Sequence, residues 1–189
     1  MVFSVPSGSF GNITSRLIAN RMGLPAKRFI AANNRNCIFF NYLKTGEYKP
    51  QPSVQTIANA MDVGDPSNFV RILDLYNHSL ENIKADISAY WYNDDAIRKI
   101  VLSTYKTTGY LLDPHGACGY QALKESLNPY ETGIFLETAH PAKFLETVEQ
   151  TIGESINIPA KLQAFMKGEK QSIGMNKSFD SFKQFLMED

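Results

Sequence analysis

The chain has 189 residues, 43% of them hydrophobic and 20% charged, which is enough for one domain with a sizeable core. Lys+Arg and Asp+Glu number 19 each, so the basic excess that marks a nucleic-acid partner is missing. The sequence has no apolar run long enough to span a membrane and no leader pattern, and its two cysteines, Cys37 and Cys118, read as reduced thiols of a cytoplasmic protein rather than as a metal or disulfide signature.

Val2 to Pro6 reads as a short strand that empties into Ser7-Gly8-Ser9-Phe10-Gly11-Asn12, and this turn opens directly into a helix carrying Ile13, Leu17, Ile18 and Met22 on one face. The turn has the makings of an anion cradle. Glycines let successive N–H groups point inward, the helix start adds unpaired N–H groups and the positive end of its dipole, and Ser7 and Ser9 can add hydroxyl donors. A phosphate group suits such a turn, although the same pattern also serves merely to reverse a chain.

Lys27 to Ala32 reads as a buried strand, Asn33 to Asn36 as a polar break, and Ile38 to Leu43 as an aromatic-rich helix ending at Gly46. Tyr48 to Pro66, rich in Pro, Gly and Asp, is expected to be a surface excursion with a short helix near Val54 to Ala60. Helices follow over Asn68 to Tyr76 and Ser79 to Ile87. Asp94 or Asp95 is expected to cap an amphipathic helix with Ile97, Ile100, Val101 and Thr104 inward, closed by Gly109. Tyr110 to Leu112 reads as a short strand, Pro114 to Leu127 as a helix, and Thr132 to Thr138 as the strongest strand. Pro141 starts a helix bearing Phe144, Leu145, Val148 and Ile152, and weaker helical pieces cover Pro159 to Lys167 and Phe179 to Met187. Alternating strands and helices predict an α/β fold with a mostly parallel sheet, formed as a single domain over 1–189.

Ligands of open parallel sheets collect at the carboxyl ends of strands. Three such junctions share a style here: Val5-Pro6-Ser7-Gly8, Leu112-Asp113-Pro114-His115-Gly116-Ala117 and Leu136-Glu137-Thr138-Ala139-His140-Pro141. Together they suggest a phosphorylated ligand lying across one rim of the sheet.

The stretches Ser4 to Asn12 and Gly23 to Ala32 resemble threonine synthases. So do Thr45 to Tyr48, Asn59 to Asn68, Asp113 to Ala117 and Glu137 to Phe144, in order along nearly the whole chain. The resemblance implies a three-layer α/β/α large domain of the tryptophan synthase β subunit-like type (fold type II), dependent on pyridoxal phosphate, incomplete in this chain. It implies conversion of O-phospho-L-homoserine and water to L-threonine and phosphate. It places Ser7, Gly8, Ser9, Phe10, Gly11 and Asn12 around the cofactor phosphate and Thr138 against the pyridine nitrogen, with His115, His140 and the Met61 to Asn68 loop as walls. It puts the Schiff-base lysine and most of the grip on the substrate phosphate upstream of this sequence. The chain is therefore expected to be a C-terminal piece, silent by itself, with an apolar face that favours self-association and with neither a nucleic-acid nor a membrane partner. Ser9 stands where the family usually has Asn. Glu137 replaces the Gly of some members, and a buried carboxylate there needs a partner.

Plainer readings stand beside these. His78 reads as a surface residue, His115 and His140 as helix-start residues that bond backbone, and Lys143 as a first-turn residue rather than the Schiff-base lysine. Cys37, Cys118 and the cluster Phe39, Phe40 and Tyr42 read as packing, and the Asp94-Asp95 pair as a helix start. The competing functions are another member of the same fold type, such as a dehydratase, and a non-catalytic module that binds a phosphate metabolite or a partner chain.

Overall fold

The computed structural model describes residues 1–188, grouped into two compact units, Met1–Ile156 and a smaller one from Asn157 onward. The first unit carries a four-stranded parallel sheet of order β3-β2-β1-β4, formed by β1 (Val2–Pro6), β2 (Arg28–Asn33), β3 (Ile87–Trp91) and β4 (Gly133–Phe135). Its helices are α1 (Gly11–Arg21), α2 (Ile38–Thr45), α3 (Phe69–Leu75), α4 (Leu80–Asp86), α5 (Asp94–Thr108), α6 (Pro114–Ser126) and α7 (Leu145–Ile152). The second unit holds two short helices, α8 (Ala160–Met166) and α9 (Phe179–Met187), neither with a buried residue. No helix among the described residues is long and apolar enough to cross a membrane.

The central strands are apolar on both faces, as parallel strands covered by helices must be. Phe3, Val5, Phe29 and Ala31 point to one side and pack with Ile13 and Leu17 of α1, Phe39 and Tyr42 of α2, Ile72 of α3 and Ile83 of α4. Val2, Ile30 and Ala32 point to the other, against Ile97 and Val101 of α5 and Ala117, Cys118 and Ala122 of α6. The period-2 alternation of the strands thus sorts two cores, and the three-layer architecture follows. Ile18 and Met22, expected on the inner face of α1, are instead exposed.

Several elements differ from the sequence reading. The strand Ile87–Trp91 was not expected. It follows α4 with no turn between, since Ile87 is both the extended residue that caps α4 and the first of the strand, and its pairing with Phe29 to Asn33 decides its conformation. Tyr110 to Leu112 is not a strand. Leu112 is fully buried, but the segment pairs with no neighbour. The run Thr132 to Thr138 contributes only the three residues of β4, Gly133 to Phe135, which lie in register with Val2 to Ser4 of β1. Helix α5 is capped by Asn93, whose side chain accepts from the Ala96 N–H at 2.9 Å. Asp94 and Asp95 occupy the first turn, where they favour the positive dipole end. Pro141–Phe144 is a 3-10 turn that precedes α7.

Candidate functional site

Strand β1 ends on the sheet rim, and Ser7 is its last fixed point. Its N–H bonds the carbonyl of Ala32 at 2.8 Å and its hydroxyl donates to the carbonyl of Val5 at 2.7 Å. The Asn33 side chain adds a bond to the Ser7 carbonyl at 2.7 Å. Ser7 is therefore committed to the backbone and does not line the cavity beyond it; Gly8, Ser9, Phe10, Gly11 and Asn12 do.

Phe10 adopts a left-handed conformation (φ 65°, ψ 12°), unfavourable for a residue with a Cβ by about 1–2 kcal/mol. Its ring is buried and packs on Phe39 at 5.0 Å between centroids, which holds the turn in place. The turn curls so that, among the described residues, the N–H groups of Gly8 through Ile13 meet no acceptor. Helix α1 starts there with no acidic residue in its first turn. Free N–H groups at a positive dipole end are suited to hold an anion.

The opposite walls come from three later segments. Ala60 and Met61 belong to a 3-10 turn, Asn59–Met61, that lies directly over Gly8: a Cβ there would stand 2.7 Å from the Met61 Cα and 2.9 Å from the Ala60 carbonyl oxygen. His115 rises from the first turn of α6, and Thr138, Ala139, Lys143 and Phe144 close the remaining side. The enclosed volume is about 240 Å³, lined by one cation, Lys143, and no carboxylate.

Two polar networks fix these walls. In the first, Asp62 accepts from Asn34 (2.7 Å), Asn36 (3.2 Å), the Thr56 hydroxyl (2.7 Å) and the Thr56 N–H (2.9 Å), which fastens the segment around the 3-10 turn to the end of β2. The expected surface excursion is thus partly interior, with Ala58 and Met61 buried, and the helix expected near Val54 to Ala60 shrinks to Asn59–Met61. In the second, His115 Nδ1 lies 2.7 Å from Asp113 Oδ1, while Nε2 accepts from the Ala60 N–H at 3.1 Å. A backbone N–H can only donate, so Nε2 carries no proton and Nδ1–H donates to Asp113. This histidine is 2% exposed, and its ring lies tilted against Phe144 with 4.7 Å between centroids. Burial alone would push Asp113 up, but the bonds from the His115 N–H and ring prevail and hold it below the ordinary carboxylate range.

Of the residues singled out in the sequence, Gly8 to Asn12, Met61, His115, Thr138 and Lys143 come together at this cavity. His140 stands beside it and caps the 3-10 turn, its Nδ1 accepting from the Ala142 N–H at 3.1 Å. His78 is exposed, Cys118 is buried and Cys37 half-buried, and Phe39 and Tyr42 are core. Asp94 Oδ1 accepts from the Ile57 N–H at 3.3 Å. No metal-ligating cluster exists among the described residues. The sequence reading missed the Asn34–Asn36–Asp62 network. Its one legible sign was the density of amides directly after β2.

Comparison with known proteins agrees with this geometry. The family described as pyridoxal-phosphate dependent enzyme matches residues 2–136, and threonine synthase, C-terminal, matches residues 116–186. Threonine synthase of Haemophilus influenzae is 41% identical over 187 residues, 99% of this chain and 44% of that protein. The crystal structure of threonine synthase from Escherichia coli superposes with a TM-score of 0.87 at 37% identity, covering 98% of this chain and 43% of that one. The pyridoxal-phosphate-bound threonine synthase from Brucella melitensis superposes equally well (TM-score 0.87, 28% identity, 98% and 45% coverage). The chain thus spans less than half the length of the relatives it matches. With the pyridoxal-phosphate enzyme match running through the parallel sheet and the turn on its rim, the threonine synthase match continuing from Gly116, and threonine synthases similar over nearly the whole chain, the chain belongs to the threonine synthase family of pyridoxal-phosphate-dependent enzymes.

Proposed function

We propose that the cavity holds the phosphate end of pyridoxal phosphate, in a protein that converts O-phospho-L-homoserine and water to L-threonine and phosphate. The observation that carries this reading is the run of unpaired N–H groups from Gly8 to Ile13, in a turn whose residues Gly8 to Asn12 line a cavity with Lys143 as its one cation. Gly8, Ser9, Phe10, Gly11 and Asn12 would bind the phosphate, and Ser7 would hold the turn rather than touch the ligand. Thr138 would offer its hydroxyl to the ring nitrogen, a neutral partner that does not force the ring to carry a proton. When bound, the cofactor supplies the electron sink for the reaction. The tight approach of Ala60 and Met61 excludes water from one side, and the neutral His115 keeps that wall in place without adding charge.

The test is equilibrium dialysis of the chain against pyridoxal phosphate, with pyridoxal as the control lacking phosphate. Binding at least tenfold tighter for the phosphorylated form, displaced by inorganic phosphate, is expected; equal binding of the two overturns the reading. The chain is also proposed to bind without turnover, because the resemblance assigns the reactive lysine elsewhere and Lys143 is an exposed first-turn residue. Phosphate release from O-phospho-L-homoserine by the chain alone would refute that. Self-association is proposed through apolar surface beside β4, where Tyr110 and Ile134 stand exposed, and a monomer at all concentrations in sedimentation velocity would refute it.

A further inference from the structure

Between the Thr138 wall and the His115 wall lies a second carboxyl, Glu137, which the cofactor reading leaves without a task. Glu137 is exposed as a residue, yet its carboxyl turns inward and lies against Gly116, where a Cβ would collide with both carboxyl oxygens. It also borders a cavity of about 530 Å³ lined by Thr104, Thr108, Tyr110, Tyr120 and Phe135. Asp113, fully buried at the start of α6, has one oxygen taken up by the His115 N–H and ring. Its other oxygen, Oδ2, meets no N–H or hydroxyl donor among the described residues, and the Glu137 carboxyl lies against Gly116 in the first turn of the helix that Asp113 caps. Two ionised carboxylates cannot bond each other, whereas an acid and a carboxylate form a strong charge-assisted hydrogen bond.

We propose that Glu137 is a positioning residue that stands as a neutral carboxylic acid and donates to Oδ2 of Asp113, so that the segment bearing Thr138 is tied to the helix bearing His115. The chain of contacts then runs from Glu137 through Asp113 and His115 to the Ala60 N–H, and it links the three segments that wall the cavity. Only this last consequence rests on the cofactor reading; the carboxyl pair does not. Burial and the facing Asp113 carboxylate agree with it, raising Glu137 to about 9. The other titratable groups around it are Tyr110, which burial and the two carboxyls push up, and Tyr120, whose ring carries the Lys124 ammonium 5.3 Å from its centroid. The Thr104 and Thr108 hydroxyls face the same cavity from α5 and add no charge. Gly116 fits this arrangement, since any larger residue would evict the carboxyl.

The experiment is an infrared titration of the chain with carbon-13-labelled glutamate, watching for the carbonyl stretch of a protonated carboxyl. Expected is a band present at pH 7 that disappears near pH 9, is absent in Glu137→Gln, and titrates at lower pH in Asp113→Asn. A wild-type chain without the band at pH 7, or a band that survives Glu137→Gln, overturns the proposal, and neither result depends on cofactor binding. Amide hydrogen exchange supplies the positioning readout. Glu137→Ala is expected to speed exchange at Ala60 about tenfold relative to amides in β2, and Glu137→Gln, which keeps a donor, to restore it within about twofold. Equal acceleration in both variants would reduce Glu137 to a packing residue and overturn its role.

Discussion

Strands β1 and β2 lie side by side, yet the polar segments that follow them treat their hydrogen bonds in opposite ways. After β2, Asn34, Asn36, Thr56 and Asp62 pair with one another until the segment is tied down. After β1, the N–H groups of Gly8 to Ile13 stay unpaired beside a cavity. Buried polar groups are normally satisfied, so a cluster of free donors is informative where a saturated cluster is not. The saturated segment is scaffold and the unsaturated one is the proposed binding element. The scaffold reaches over the cradle through Ala60 and Met61, so that one supports the other.

The largest effect should come from breaking the scaffold. Asp62→Ala strips the acceptor from two amides, one hydroxyl and one backbone N–H, and is expected to cost about 3 kcal/mol in urea unfolding, with anion binding lost as the turn over Gly8 loosens. Gly8→Ala tests the cradle itself. Its Cβ would press on backbone rather than on a flexible side chain, a strain of about 2 kcal/mol, which should appear as a roughly thirtyfold loss in inorganic-phosphate affinity by calorimetry. Unchanged affinity would show that the 3-10 turn can withdraw and that the two segments are not coupled.

A smaller effect is expected at Lys143. Its side chain is exposed and screened, so Lys143→Gln should weaken phosphate binding only about threefold and flatten its salt dependence, with stability unchanged within about 0.5 kcal/mol. The smallest lies far from the cradle, at Glu131. Hydrogen bonds from Arg28 and Lys27 hold its carboxyl well below the ordinary range, with Arg28 at 2.7 Å. A group whose folded value is depressed stabilises above its unfolded value and loses that contribution as pH falls through the folded one. Thermal unfolding of Glu131→Gln should therefore show a shallower decline below about pH 4.5 than the parent chain, and an identical decline would refute the assignment.

Local signals located much of this. Gly46 and Gly109, both at φ above +70°, end α2 and α5 where the glycines stand in the sequence, and Pro114 and Pro141 open helical turns. The cradle was legible because glycines, hydroxyls and a helix start are adjacent in the chain. What escaped was set by partners far along it. Ile87–Trp91 becomes a strand because β2 offers an edge, whereas Tyr110 to Leu112, no less apolar, finds none. Asn93 rather than Asp94 caps α5 because its backbone is the extended one. The sequence reading could ask for a partner for Glu137 but could not name Asp113, 24 positions earlier.

The sequence alone determined most of the helices, the first two strands and the glycine-rich turn that opens α1, because each depends on residues within a few positions of one another. Only the tertiary structure decided which donors remain free, which segment covers the cradle and which carboxyl meets which. Those outcomes depend on the pairing of groups that the chain brings together across its sheet.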